Sequence, residues 1–583
     1  MRGAAGVSGS GPSGVGSVLR RLRRRRGLDH IAWHGLSLEK LRPGQERAAK
    51  AAVAGRDVLA VMPTGYGKSA IYKLAASAVP GPTVVVSPLV ALQRDQVVGL
   101  AAERVGQAVQ LDSTTSDDAR ARAYDQLRSG HLEFAFLAPE QLARTDVRDA
   151  LAKAGVSVFV VDEAHCISGW GHDFRPDYQR LGDVITELGH PVVIALTATA
   201  APPVRAEIVE RLGLIAPEVV VAGFDRPNIS LAVERAASAE DKDAAVVAHA
   251  AELSAAGTGI VYVATRRRAE ELAERIGEET IQAAAYHAGL PRAQRDDVHD
   301  RFRSGALDVV VATNAFGMGI DKPDVRFVLH ADVPESVDAY YQEIGRAGRD
   351  GEPAEATLYF RTEDMGLRRY LGSGGTVAAG DVAAVLGALD RAGGCATTEA
   401  LREATGFGAR KLTQVLNKVR DAEAIDCRGD EVIVTGDVDP AELMAAVEAD
   451  EAARKEMDAS RREMMRSYAE ARACRRQMLL TYFGQHHEGA CGSCDTCADA
   501  AAASTVPAGA ASGGTRPRRG QARRAARADA APFPPGTDVE HETWGAGQVI
   551  RADGDTLTVL FDAGGYRNLS LAVVVERGLL KTA

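Results

Sequence analysis

The chain has 583 residues, 46% hydrophobic and 25% charged, with 69 Lys and Arg against 79 Asp and Glu for a formal net charge of -10. That length predicts several domains of ordinary globular composition, and the acidic balance excludes a protein that holds nucleic acid by bulk charge, leaving local clefts and patches. No run approaches the roughly 20 apolar residues of a membrane helix, so no membrane partner is expected. Seven cysteines, four of them clustered late, argue for a reduced compartment and a metal site over a disulfide framework. Residues 1–28 are Gly/Ser-rich and then basic (Arg20, Arg21, Arg23 to Arg26) without the apolar stretch of a signal peptide. They read as a flexible basic leader on a cytoplasmic protein.

Leu41-Arg42-Pro43-Gly44-Gln45-Glu46 opens an Ala-rich helix. Arg42 and Gln45 are candidate nucleotide contacts there, because a Gln amide can both donate to and accept from adenine. Val58 to Met62 then reads as a buried strand that runs into Pro63-Thr64-Gly65-Tyr66-Gly67-Lys68-Ser69. Glycines let backbone N–H groups approach an anion, and a helix opening at Lys68-Ser69 adds its N-terminus. Thr64, Gly65, Gly67, Lys68 and Ser69 are therefore candidates to hold ATP, with Lys68 on the β- and γ-phosphates and the Ser69 hydroxyl on Mg²⁺. Met62 stands where the strict motif has its first glycine, and this Pro-Thr-Gly-x-Gly-Lys-Ser form resembles the loop of superfamily 2 helicases.

The strands Thr83 to Val86 and Phe134 to Leu137 follow, the first leading into Ser87 to Gln96. Val156 to Val161 is another buried strand and ends in Asp162-Glu163-Ala164-His165. Acids at the C-terminal end of a parallel strand suit nucleotide hydrolysis. Asp162 is expected on Mg²⁺ and Glu163 on the attacking water, with His165 grouped with them as catalytic. The next loop, Cys166 to Pro176, is aromatic in a chain that is only 5% Phe, Trp and Tyr. Aromatic faces and Arg are what single-stranded nucleic acid stacks on and what its phosphates pair with. Val192 to Leu196 leads to Thr197-Ala198-Thr199-Ala200, whose hydroxyls are placed to couple nucleotide to bound strand.

Leu-Arg-Pro-Gly-Gln at 41–45, Ser-Pro-Leu-Val-Ala-Leu-Gln-Arg-Asp-Gln at 87–96, the Asp-Glu-Ala-His with its aromatic loop, and Phe-Asp-Arg-Pro-Asn at 224–228 together resemble the RecQ family of DNA helicases. The resemblance implies that the aromatic loop, through Trp170, His172, Phe174 and Arg175, senses single-stranded DNA and switches on ATP hydrolysis. It also implies 3′ to 5′ movement, forked or branched DNA substrates, roles in DNA recombination and repair, and association with the nucleoid. Leu41 departs from the aromatic usual before Arg-Pro-Gly-Gln, and Tyr262-Val-Ala-Thr-Arg266 departs from the expected Asn-Ser-Arg.

From Gly259 the αβ pattern restarts with Ile260 to Val263 and Val309 to Ala312. Thr313, Gly319 and Asp321 lie in Ala312 to Asp321, which is again similar to RecQ proteins, where the segment links DNA to ATP: Thr313 is a DNA candidate, Gly319 and Asp321 nucleotide candidates. Gln342-Glu-Ile-Gly-Arg346-Ala-Gly-Arg349 supplies two arginines three apart beside small residues. Gln342, Arg346 and Arg349 are catalytic candidates, the arginines as fingers on a γ-phosphate.

Asp381 to Ala392, Thr398 to Thr405 and Ala409 to Ala424 read as three helices and Ile425 to Thr435 as a hairpin. This is the order of a winged helix with Arg410, Lys411, Lys418 and Arg420 on a DNA-facing helix, or of a plain helical insert. Cys474, Cys491, Cys494 and Cys497 match a closed structural Zn²⁺ site, with a minor iron–sulfur alternative, and resemble the RecQ zinc subdomain. Residues 499–532 read as a disordered basic linker. Pro535 to Val549 and the strand Thr556 to Phe561 suggest a small SH3-like barrel similar to the Tudor-like C-terminal module of UvrD/PcrA-type helicases, whose implied partner is RNA polymerase.

The expected architecture is α/β. It comprises a leader (1–28), two RecA-like lobes with parallel sheets (29–222 and 223–366), a winged-helix-like insert (376–437), a zinc subdomain (455–498), the linker, and the barrel (533–583). The expected activity is that of an ATP-dependent DNA helicase. Two alternatives are carried beside it, a superfamily 2 RNA helicase or remodeller and a polymerase-recruited adaptor with a subsidiary motor.

Overall fold

In the computed structural model, residues 41–505 and 532–582 are described apart from 89, 104–105, 113–114, 169–174, 318–321, 373–376, 423, 429, 436–438, 486, 488, 535, 554–555 and 562–564. The chain folds as two units, one ending at Phe224 and the other beginning at Asp225, two residues beyond the expected boundary.

The first unit is built on seven strands, β1 (Val58–Val61), β2 (Thr83–Val86), β3 (Ala108–Leu111), β4 (Phe134–Leu137), β5 (Val158–Val161), β6 (Val192–Thr197) and β7 (Glu218–Val221). They pair in parallel in the order β3-β4-β2-β5-β6-β1-β7. β1, β2, β4 and β5 are buried along their whole length, which is why they read as unbroken Val, Leu and Phe runs with no alternation. The two edge strands, β3 and β7, carry Gln110 and Glu218 and are partly exposed. Helix α1 (Pro43–Val53) buries Gln45, Ala48, Ala49, Ala51 and Ala52, and Leu41 is 4% exposed in the same core. Helix α2 (Ser69–Ala78) opens directly from the phosphate loop.

The second unit repeats the plan with β8 (Ile229–Arg235), β9 (Gly259–Tyr262), β10 (Ala283–Tyr286), β11 (Val309–Ala312), β12 (Phe327–His330) and β13 (Ala354–Phe360), all parallel in the order β10-β11-β9-β12-β13-β8. Helix α3 (Val337–Ile344) precedes the arginine loop.

The insert contains helices α4 (Ala379–Arg391), α5 (Thr398–Thr405) and α6 (Ala409–Asp421) with strands β14 (Cys395–Thr397), β15 (Ile425–Arg428) and β16 (Glu431–Val434) in an antiparallel sheet ordered β14-β16-β15. Its core gathers Val385, Leu389, Leu401, Val415, Val419 and Val432 with Leu443 and Val447. The last two belong to α7 (Pro440–Glu470), a helix of 31 residues that runs through the expected start of the zinc subdomain at 455. After α8 (Arg475–Tyr482) and the cysteine knuckle, α9 (Asp495–Thr505) carries helix into the segment expected to be a disordered linker; residues 506–531 lie outside the described residues. The C-terminal module is an antiparallel sheet of β17 (Asp538–His541), β18 (Gly545–Asp553), β19 (Thr556–Phe561), β20 (Gly565–Ser570) and β21 (Leu580–Thr582) in the order β20-β19-β18-β17-β21. Among the described residues its two outer strands do not pair, so the expected barrel is seen as an open five-stranded sheet over Val539, Val549, Val559 and Phe561.

Gly259 starts β9 where the buried Phe327 ring of β12 crosses it, and a Cβ there would lie 2.1 Å from that ring. Gly259→Ala therefore costs on the order of 2 kcal/mol through overpacking. Faster amide exchange in β9 and β12 reads this loss, and unchanged protection contradicts the close approach.

Candidate active site and zinc centre

With both faces of a parallel sheet buried, polar chemistry is confined to the loops leaving the strands' C-terminal ends. In the first unit, β1, β6 and β5 are adjacent, and from these three ends come the phosphate loop, Thr197 and the acidic pair.

Gly65 and Gly67 have φ of 77° and 82°, the left-handed region that glycine enters without strain. Lys68 Nζ donates to the Met62 carbonyl at 3.1 Å. Gln45 does not present a free amide to a base. It is 4% exposed, its Nε2 donates to the carbonyls of Tyr66 (2.8 Å) and Gly67 (3.0 Å), and its Oε1 accepts from the Arg42 N–H (2.9 Å). A Cβ on Gly67 would lie 2.7 Å from that Nε2. Gln45 thus braces the phosphate loop from beneath, while the Arg42 guanidinium lies 4.7 Å over the Tyr66 ring. Thr64, Lys68 and Ser69 are half-buried, and Gly65 and Gly67 are exposed.

Past β5, Glu163 adopts φ 49°, an uncommon conformation for a residue with a side chain. Loss of water and then the neighbouring Glu163 carboxylate push Asp162 up to about 7, against the pull of Lys68. His165 is 1% exposed, and its Nδ1 lies 3.3 Å from Glu163 Oε2 and 2.9 Å from Thr197 Oγ1. The Thr197 hydroxyl donates to the Thr199 carbonyl at 2.9 Å, so its oxygen accepts from the ring N–H and fixes that tautomer. Hydrogen bonds therefore join His165, Thr197 and Thr199, and the Glu163 carboxylate lies beside the same ring nitrogen without a hydrogen bond to it. Nearby, Arg205 Nε donates to the Ala200 carbonyl at 2.9 Å, and the guanidinium lies 5.7 Å over the Phe224 ring.

Trp170, His172 and Phe174 lie outside the described residues. The base of their loop does not. Arg175 N–H donates to Cys166 O at 2.9 Å and Arg175 Nη1 to Pro88 O at 3.2 Å, and the buried Tyr178 hydroxyl donates to the Asp162 carbonyl at 2.9 Å. Arg175 and Tyr178 are thereby anchored to Cys166, to the backbone of Asp162 and to the segment after β2.

In the second unit, Thr313 follows β11 and is 8% exposed, and Arg346 is 4% exposed. Gly317 passes close to Arg346, since a Cβ there would sit 3.4 Å from Arg346 Nη2. Gly319 and Asp321 lie outside the described residues. Gln342 and Arg349 are half-buried. The loop between the two arginines is clamped by residues to which the sequence attached no role. Arg226 donates to the carbonyls of Gly345 (3.2 Å), Ala347 (2.8 Å) and Gly348 (3.0 Å), and Asn228 Nδ2 to those of Gly348 (2.8 Å) and Glu352 (2.9 Å).

The insert's basic helix is engaged with neighbouring acids. Lys411 pairs with Asp381 at 2.6 Å, and Lys418 lies 4.0 Å from Glu451. Its hairpin is short, and the turn is tied back because Thr398 N–H donates to Asp430 O at 2.9 Å and the two side chains also bond.

The four cysteine sulfurs all lie within 4.8 Å of one another, with Cys491–Cys497 at 3.9 Å and Cys474–Cys494 at 4.0 Å. Tetrahedral Zn²⁺ with Zn–S bonds of about 2.3 Å requires separations of about 3.8 Å, so the residues fit zinc. Burial opposes ionisation of Cys491, but donation from the Ser493 N–H and hydroxyl and from neighbouring thiols brings it down to about 6. The knuckle also covers the free edge of β8. Leu231 N–H donates to Ser493 O at 3.2 Å and Val233 N–H to Asp495 Oδ2 at 3.0 Å, which caps backbone groups that an edge strand otherwise exposes. Next to it, Phe483 packs 4.7 Å from Tyr341 of α3, and the Tyr482 hydroxyl bonds Asp338. In the C-terminal module, Trp544, His541 and Phe561 form a mutual ring cluster, with Trp544 4.1 Å from His541 and 5.3 Å from Phe561 and Arg567 over it, and Arg567 also pairs with Glu456 of α7 at 2.6 Å.

Comparison with known proteins agrees with this division. Residues 42–207 match the family of DEAD/DEAH box helicases, 241–351 the helicase conserved C-terminal domain and 435–498 the RecQ zinc-binding domain. The chain is 36% identical over 462 residues to the probable ATP-dependent DNA helicase RecS of Bacillus subtilis, covering 79% of this chain and 89% of that protein. It is 41% identical over 327 residues to the ATP-dependent DNA helicase RecQ of Pasteurella multocida, covering 56% of this chain but only 51% of that protein. The solved structure of the DUF1998 helicase MrfA bound to DNA and AMPPNP shares the fold, with a TM-score of 0.51 at 19% identity over 71% of this chain and 62% of that one. A phosphate loop braced by Gln45, an acidic pair followed by a His165 bonded to Thr197, and a four-cysteine knuckle on the second sheet thus coincide with those matches, and the chain belongs to the RecQ family of ATP-dependent DNA helicases.

Proposed function

We propose that this protein is an ATP-driven DNA helicase that moves 3′ to 5′ on single-stranded DNA and opens forked or branched duplexes during recombination and repair, in the cytoplasm at the nucleoid. The observation that carries the reading is the hydrogen-bonded chain His165–Thr197–Thr199, with the Glu163 carboxylate 3.3 Å from His165 Nδ1. The acid that polarises water therefore lies against a chain of hydrogen bonds that runs to the end of the adjacent strand β6.

In this reading Thr64, Gly65, Gly67 and Lys68 bind the triphosphate, and Arg42, braced with Gln45, borders it. Ser69 and Asp162 hold Mg²⁺, whose chemistry is to neutralise phosphate charge. Glu163 orients and polarises the attacking water. Gln342, Arg346 and Arg349 act on the γ-phosphate, with Gly319 and Asp321 contributing to nucleotide contact. Trp170, His172, Phe174, Arg175 and Thr313 take the DNA. The anchoring of Arg175 and Tyr178 to Pro88 and Asp162 supports the idea that strand binding reaches the acidic pair. Zn²⁺ on Cys474, Cys491, Cys494 and Cys497 is structural, with no vacant ligand position. The domain limits proposed are those expected above, with the zinc subdomain extended to include α7. The engaged lysines of α6 favour a packing role for the insert over DNA recognition. The C-terminal module is proposed to close as an SH3-like barrel and to recruit RNA polymerase.

Lys68→Ala is expected to abolish DNA-stimulated ATP hydrolysis while leaving DNA binding intact; undiminished turnover contradicts the assignment. A second expectation follows from Asp162, whose carboxyl titrates near 7 in the folded protein against an ordinary value of 3.8. A raised folded value stabilises the protein below the unfolded value, and that contribution is lost as pH rises through the folded one. In magnesium-free buffer Asp162→Asn therefore melts above the wild type at pH 8, and the gap closes toward pH 4. A gap independent of pH contradicts the buried charge pair.

A further inference from the structure

Resting on the reading of Arg346 and Arg349 as γ-phosphate groups, we propose that Asp225 and Arg476 form a positioning pair through which the zinc subdomain holds the arginine loop in place for hydrolysis. Arg476 stands two residues after the zinc ligand Cys474 and is 5% exposed. One guanidinium reaches two separate segments. Its Nη2 donates to Ser493 Oγ at 3.0 Å inside the knuckle and to the Ile229 carbonyl at 2.7 Å, and its Nη1 pairs with Asp225 Oδ1 at 2.6 Å.

Residues 225–228 lie in no helix or strand, so side chains decide their placement. The residue after Asp225 is Arg226, whose guanidinium donates to Gly345, Ala347 and Gly348, and Asn228 adds Gly348 and Glu352. The carbonyls of Gly345 and Ala347 flank Arg346, and that of Gly348 immediately precedes Arg349. Gly348 has φ 56°, and a Cβ there would lie 2.4 Å from Asn228 Nδ2, so the loop is shaped around the clamp. The chain of contacts therefore runs from zinc knuckle to Arg476, to Asp225, along one peptide to Arg226, and into the backbone that carries both arginines.

Charge-assisted hydrogen bonds of this kind are strong and directional. Removing the Asp225 charge leaves Arg476 buried beside a neutral partner and lets the segment 225–228 shift. A misplacement on the order of 1 Å is costly where a transition state depends on positioned charge. Neither residue touches the reacting atoms. Their effect passes through Arg226 and the loop.

The test uses the full-length, zinc-loaded chain with Asp225→Asn, which preserves shape, with Arg476→Gln, and with the two combined. Amide exchange across residues 342–351 is expected to accelerate in each variant while zinc remains bound. The DNA-stimulated kcat is expected to fall about tenfold with KM for ATP unchanged, and the double variant is expected to be no slower than the worse single one. Unchanged exchange at 342–351 in Asp225→Asn, or losses that multiply in the double variant, overturns the proposal. If the wild-type chain itself shows no DNA-stimulated turnover, it is the helicase reading that fails, and the exchange comparison still decides whether the pair positions the loop.

Discussion

The structure depends on one constraint, that two all-parallel sheets have both faces buried. Strands such as Val158–Val161 and Val309–Val311 have no exposed face on which to carry a functional group. Chemistry is displaced to the strand ends, and strand order decides which ends are neighbours. In the first unit the order β5-β6-β1 places Lys68, Thr197 and the Asp162–Glu163 pair at the C-terminal ends of three adjacent strands. In the second unit, β11 delivers Thr313, while the loop after α3 delivers Arg346 and Arg349.

A second regularity concerns how those loops are held. Irregular loops expose carbonyls that need donors, and in both units the donor is a long side chain from a flanking segment. Gln45 donates to Tyr66 and Gly67 beneath the phosphate loop, and Arg226 with Asn228 donates to Gly345, Ala347 and Gly348 beneath the arginine loop. In each case a glycine is required where the clamp approaches: a Cβ on Gly67 would come within 2.7 Å of Gln45, and one on Gly348 within 2.4 Å of Asn228. Glycines in these loops therefore serve the clamp as well as the phosphate. The zinc knuckle joins this scheme by capping β8 and gripping Asp225, which makes a metal site with no catalytic ligand position part of the loop's support.

What the sequence revealed was chemistry with a local rule. The phosphate loop, the acidic pair at a strand end and the cysteine spacing each demand particular residue types a few positions apart, and the apolar runs around them declare buried strands. Thr398–Thr405 and Thr556–Phe561 were legible to the residue because a capping threonine and a β-branched run mark their starts. The clamps were not legible, since Arg226 meets Gly348 across 122 positions with no periodic signal. Gln45 reads as a nucleotide contact because its amide chemistry suits adenine; its bonds to the Tyr66 and Gly67 carbonyls and the Arg42 N–H were not legible, because only folding brings the two carbonyls near. Helix α7 escaped notice because its apolar positions serve two different partners, the insert core through Leu443 and Val447 and the aromatic contact of Tyr468 with Tyr340, which blurs a single amphipathic stripe.

Two units built this way predict a motor whose hydrolysis answers to DNA. Strand displacement on matched duplexes carrying a 3′ or a 5′ single-stranded tail tests that claim most directly. The account predicts ATP-dependent opening of the 3′-tailed duplex with hydrolysis stimulated by single-stranded DNA far more than by RNA. Opening of neither duplex, or equal stimulation by RNA, contradicts it.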